Sequence, residues 1–135
     1  MPPWHPDRPM LNFDDQDGKI WFNGKLMPWR DCTLHVLSHG LHYASSVFEG
    51  ERVYAGQVFK LREHSQRLID SATALGFEIP YSLEKIEQAT RDTVAEQGYP
   101  DAYVRPVAWR GSEMMGVSAQ EAKINFAIAV WEWPS

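Results

Sequence analysis

Cysteine is almost absent from this chain. The single thiol, Cys32, excludes an intrachain disulfide and a cysteine-cage metal site, and it fits a reducing compartment, so a cytoplasmic protein is expected. Long apolar runs are missing as well. The opening MPPWHPDRPM holds no apolar core of signal-peptide length, and no window approaches the roughly 20 residues a bilayer requires, so no membrane partner is expected. Positive charge is in deficit: 13 Lys and Arg against 18 Asp and Glu leave a net charge of −5. No basic run or stripe is present to neutralise phosphates, which argues against a nucleic-acid partner. Internal repeats, linkers and low-complexity tracts are absent too, and 135 residues suffice for one domain with a sizeable core. What the chain holds in excess is tryptophan. Six indoles, large and amphipathic, suggest pockets or interfaces as well as core.

Residues 1–18, rich in proline and aspartate, read as an irregular arm pinned by Trp4 and Met10. In KIWFNGKLMPW, Asn23-Gly24 separates two short apolar runs and predicts a hairpin with a type I′ turn. ERVYAGQVFKL predicts a second hairpin around Ala55-Gly56, on a weaker turn signal. From Leu61 the period changes: Leu61, Leu68, Ala72 and Leu75 share a narrow arc, and Gly76 supplies a stop, so LREHSQRLIDSATALG predicts an amphipathic helix. A second helix is expected from the N-cap Ser82 to Gly98, and two strands, AYVRPVAW and INFAIAVWEW, close the chain. Tight turns make neighbouring strands antiparallel, and clustered helices cover one face. The fold class is therefore α+β: a mostly antiparallel sheet with two helices.

The stretch SHGLHYASSVFEGERVY fits neither one helix nor one strand. With His35 upstream, His39 and His42 form H-x3-H-x2-H, a spacing that needs a helix to gather metal ligands, and Gly40 and its small neighbours argue against one. Histidines capping a turn are expected instead. Ser38, Ser45 and Ser46 lack the G-x-S-x-G frame of a nucleophile. Tyr43 and Phe48 flank small residues, which suits either a ligand wall or two core aromatics around a tight turn. Glu49 reads as a strand residue pairing with Arg52 or another surface base. Arg67 lies on the shoulder of the first helix, where its fork could hold a phosphate or carboxylate or form a rim salt bridge with Asp70 or Glu63. Arg105 stands inside an apolar strand on the face of Tyr103, Val107 and Trp109, and must meet an anion, an internal carboxylate or solvent.

IWFNG, VLSHGLHYASSVFEG, REHSQRL and AYVRP occur in this order and spacing in the N-terminal domain of branched-chain amino-acid aminotransferases, and the chain from Ile20 to Ser135 resembles that domain. Those are pyridoxal-phosphate enzymes of fold type IV. The resemblance implies that residues 19–135 form the small domain. It implies cofactor phosphate binding by Arg67, and substrate-pocket walls from Tyr43, Phe48 and Trp133. Arg105 matches the arginine that receives the side-chain carboxylate of glutamate or 2-oxoglutarate. Met115 and Val117 match a loop that reaches into a partner subunit's site, so a homodimer is implied. The implied reaction moves the amino group of leucine, isoleucine or valine to 2-oxoglutarate, with pyridoxal 5′-phosphate as electron sink.

Two departures stand out. Ala44 occupies a position where the family usually has glycine, a change expected to crowd the pocket. None of Lys19, Lys25, Lys60, Lys85 and Lys123 lies in the context of the family's Schiff-base lysine, which belongs to a C-terminal domain. These residues alone are therefore expected to retain no cofactor and to be inactive. A D-amino-acid aminotransferase, an aminodeoxychorismate lyase, and a non-catalytic binding or dimerisation module remain open as alternatives.

Overall fold

The computed structural model describes residues 12–133; Trp4 and Met10 lie outside them. Strands β1 (Lys19–Phe22) and β2 (Lys25–Pro28) meet at Asn23 and Gly24, whose φ angles of +48° and +108° build the left-handed pair a type I′ turn needs. The Asn23 side chain fixes this turn to residues 125 and 126: its Nδ2 donates to Asn125 Oδ1 at 2.9 Å, and its Oδ1 accepts from the Phe126 amide at 2.8 Å. A 3-10 turn (Trp29–Asp31) follows, then a five-residue helix α1 (His39–Tyr43) and a short strand β3 (Ser46–Phe48). Strands β4 (Glu51–Tyr54) and β5 (Gln57–Val58) turn at Ala55 and Gly56, both left-handed.

Helix α2 (Leu61–Ala74) buries Leu61, Ser65, Leu68 and Ala72, one stripe at helical spacing. Helix α3 (Leu83–Gln97) opens on Ser82, whose hydroxyl accepts from the Lys85 amide at 3.1 Å, and ends at Gly98 with φ +77°. Strands β6 (Ala102–Arg110) and β7 (Ile124–Glu132) complete the described elements. All strand neighbours are antiparallel, in the order β2-β1-β7-β6-β4-β5, with β3 beside β6 as well. Helices α2 and α3 lie on one face. Between them and the sheet sit Trp21, Val53, Leu68, Ile86, Val104, Phe126, Ile128 and Val130, all buried. The Trp21 and Tyr81 rings close on Phe126 at 5.7 and 5.6 Å.

The expected α+β class and antiparallel sheet are present, with two elements more than the periodicity suggests. A helix of five residues and a strand of three are shorter than the windows in which either period can be recognised. Strand β6 also breaks a rule, since proline is rare away from a sheet edge. Pro106 is accommodated because β3 and β4 share one edge of β6 and part at Glu49-Gly50. There the Pro106 carbonyl accepts from the Glu49 amide at 3.1 Å, and no ladder partner requires the N–H that proline lacks. A Cβ on Gly50 would overlap the Tyr103 hydroxyl, so this break needs glycine.

Candidate functional site

Strand β6 divides its residues by parity. Ala102, Val104, Pro106 and Ala108 point to the helices and are buried, while Tyr103, Arg105, Val107 and Trp109 point to the opposite face. Across from the latter group β7 sets Trp131, Ala129, Ala127 and Asn125. The alanines make the floor of a trough of about 380 Å³ walled by Ile20, Phe22, Leu41, Val107 and Trp109, with Arg105 at one end. The lining is almost wholly apolar except for that guanidinium.

Arg105 lies over the Phe48 ring, 4.1 Å from its centroid, and donates from Nη2 to the Tyr103 hydroxyl at 2.9 Å. No carboxylate pairs with it among the described residues, so the internal-glutamate alternative is not used. The sequence places Tyr103 on the face of Arg105 but assigns it no role in the site. Its ring packs 4.9 Å from Trp131 and 5.5 Å from Trp133, and its hydroxyl sits over Gly50. Alternation shows that the two residues, two apart on one strand, share a face, but not that the hydroxyl meets the guanidinium. Phe48, Arg105 and Trp133 thus gather around Tyr103.

Arg67 belongs to a second cluster. Its Nε and Nη2 form a two-pronged pair with Glu49, at 2.9 and 2.7 Å, and His64 Nδ1 lies 2.7 Å from the same carboxylate. The expected rim partners are corrected: Asp70 instead accepts from Gln66, while Arg52, expected beside Glu49, lies over the rings of Tyr54 and Trp133. Burial raises the Glu49 carboxyl, but hydrogen bonds from Arg67 and His64 outweigh it, and its pKa falls below the ordinary value. The Arg67 side chain remains 67% exposed, and its Nη1 donates to no described residue. A guanidinium with one anchored edge and one open edge fits a phosphate.

Tyr43, Met115 and Val117 form a third group outside the trough lining. The half-exposed Tyr43 ring rests 4.5 Å from that of His39. His39 is buried, bonded through Nδ1 to Ser45 Oγ and through Nε2 to the carbonyl of Gly116 at 2.9 Å. Tyr43 is therefore tethered to the loop that carries Met115 and Val117, and Val117 projects from it at 79% exposure. His42 Nε2 meets the Val36 carbonyl and His35 Nδ1 accepts from the Leu37 amide, so these rings serve the local backbone.

Ala44 does not crowd the trough. It is exposed, and at φ +57°, ψ +28° it ends α1 in the left-handed region, where a Cβ costs about 1 kcal/mol. Glycine suits this position for backbone freedom. Ala44→Gly should accordingly raise the unfolding free energy by up to about 1 kcal/mol, read as a higher denaturant midpoint at unchanged slope.

The amino-transferase class IV family pattern matches residues 46–135, and the chain belongs to that family. It is 45% identical over 127 residues to the branched-chain-amino-acid aminotransferase of Pseudomonas aeruginosa, covering 91% of this chain and 41% of that one. Against the probable branched-chain-amino-acid aminotransferase of Rickettsia typhi it is 47% identical over 110 residues, 82% of this chain and 38% of the relative. The crystallised branched-chain amino acid aminotransferase from Escherichia coli superimposes with a TM-score of 0.83 at 39% identity, over 87% of this chain and 42% of that one. The chain thus spans about two fifths of the length of these relatives. Among the described residues no helix is long and apolar enough to cross a membrane.

Proposed function

We propose that these residues form one wall of the active site of a branched-chain amino-acid aminotransferase, which passes the amino group of leucine, isoleucine or valine to 2-oxoglutarate. The observation that carries this reading is Arg105: a cation without a carboxylate partner among the described residues, half-buried at the end of an apolar trough. Such a pocket accepts two kinds of side chain in turn. An aliphatic chain lies against Phe48, Val107 and Trp109, whereas a carboxylate reaches the guanidinium. Another branched-chain amino acid aminotransferase of the same fold, 40% identical to this chain, has been crystallised with 4-methylvaleric acid and with N-(5′-phosphopyridoxyl)-L-glutamate, an aliphatic and an acidic occupant. The two possibilities match the two surfaces of this trough.

Pyridoxal phosphate, when bound, supplies the electron sink that transamination requires. Arg67 would hold its phosphate through the open Nη1 edge, Phe48 and Trp133 would exclude water from the substrate, and Tyr103 would hold Arg105 in place. The five lysines are all exposed and none lines the trough, which supports a covalent lysine supplied by a further domain outside residues 19–135 and an inactive, cofactor-free state for these residues alone. Projection of Val117 and the exposed apolar side chains Leu34, Val36 and Leu41 support a homodimer in which the 115–117 loop serves the partner's site. The lone thiol supports a cytoplasmic location.

The test is an assay of the complete gene product with pyridoxal phosphate, 2-oxoglutarate and each amino acid. L-Leucine, L-isoleucine and L-valine should each yield glutamate. Turnover of D-alanine but of none of these three would move the protein to the D-amino-acid branch, and no turnover despite bound cofactor would leave a binding module.

A further inference from the structure

The cluster around Glu49 is not explained by packing alone. Glu49 is 6% exposed, while the arginine it binds is 67% exposed, so a buried anion holds a largely exposed cation. The hydrogen bonds from Arg67 and His64 offset the desolvation of this carboxylate, but an arginine left this exposed is screened by water and contributes little to stability. The backbone has also been shaped for it. Glu49 lies at the break between β3 and β4, opposite Pro106, with Gly50 beside it, so its side chain comes from a fixed point of the sheet. Two side chains one helical turn apart on α2, His64 and Arg67, converge on the two carboxylate oxygens.

We infer that Glu49 is a positioning residue for the cofactor phosphate: it fixes the Arg67 guanidinium by its Nε–Nη2 edge so that Nη1 is presented to the anion. His64, hydrogen-bonded to Glu49 Oε1, keeps the carboxylate from rotating away. This rests on the reading of Arg67 as the phosphate-holding arginine given above. A free arginine side chain would lose several rotamers on binding; one already clamped loses few, and the difference appears as affinity. The geometry also makes Phe48 and Glu49, adjacent in sequence, serve different ligands: the ring faces the substrate arginine and the carboxylate faces the phosphate arginine.

The experiment compares the dissociation constants of pyridoxal 5′-phosphate and of pyridoxal, which lacks the phosphate, for the intact protein and for Glu49→Gln, Arg67→Ala and the double variant. Glu49→Gln should weaken pyridoxal phosphate about tenfold and leave pyridoxal within about twofold, and it should add nothing once Arg67 is already alanine. A purely structural glutamate would instead lower both affinities together, and would still do so in the Arg67→Ala background; either result overturns the proposal. Should Glu49→Gln fail to fold, Glu49→Asp keeps the charge and withdraws it by one methylene, and the same ratio decides. If Arg67→Ala itself leaves pyridoxal phosphate affinity unchanged, the cofactor reading of Arg67 fails, and the role of Glu49 falls with it. If Arg67→Ala weakens the cofactor and Glu49→Gln does not, only the positioning role is lost.

Discussion

Arg105→Ala should lower kcat/KM for glutamate and 2-oxoglutarate by roughly fifty- to hundredfold while changing that for leucine by less than about fivefold. The asymmetry follows from what the guanidinium touches. Its protein contacts are one neutral hydroxyl, on Tyr103, and the face of Phe48. A substrate carboxylate would add charge-assisted hydrogen bonds at the end of a largely apolar trough, and these are the bonds the substitution removes. Leucine forms none of them, and its side chain meets the aromatic and aliphatic walls, which remain. Arg105→Lys should recover only part of the loss, since an ammonium cannot reproduce the planar fork or the stacking on Phe48. Equal damage to acidic and aliphatic substrates would mean that Arg105 only supports the sheet face.

The pH dependence of folding stability should be dominated near neutrality by Glu51. This side chain is 1% exposed, its Oε1 has no hydrogen-bond partner among the described residues, and its pKa is pushed up to about 8 by burial and by the negative charge of Glu49. In the unfolded chain the same group titrates near its ordinary value of 4.5. Between the two values the native state keeps a proton that the unfolded state has released. Stability therefore falls as pH rises from about 5, by up to roughly 1.4 kcal/mol per unit, and the loss levels off above about 8, for a total on the order of 4 kcal/mol. Glu49 acts in the opposite sense, but its lowered pKa puts its contribution at acid pH, outside this window. Chemical denaturation at half-unit steps from about pH 5 to about pH 9 is the measurement. Wild type should show the decline and Glu51→Gln should be nearly flat. Parallel curves would place the proton elsewhere.

How far the sequence carried depended on the range of each interaction. Asn23-Gly24, Ser82 and Gly98 act on their own neighbours, and each appears where local chemistry puts it. Arg105 and Tyr103 could both be assigned to one face from alternation alone, but the hydrogen bond between them could not. Glu49 could not. Its partners lie 15 and 18 residues away across a sheet–helix contact, and no local pattern distinguishes Arg67 or His64 from Arg52, the nearer and wrong choice. Pro106 was similarly opaque, because its tolerance depends on a gap in a neighbouring edge that no single segment encodes. Ala44 shows a different limit: family likeness marked the position, but only its backbone angles show what a glycine there would relieve.

The parity of β6 has a consequence for how such a protein can diverge. Positions 105, 107 and 109 face the trough, and positions 102, 104, 106 and 108 face the helices. Ligand preference and foldability are thus written on separate, interleaved sets of residues in one nine-residue strand. Random substitution along it would sort into two nearly independent populations, variants with altered selectivity and intact folding, and variants that do not fold at all. A lineage can explore new side-chain chemistry at the odd positions while purifying selection holds the even ones still.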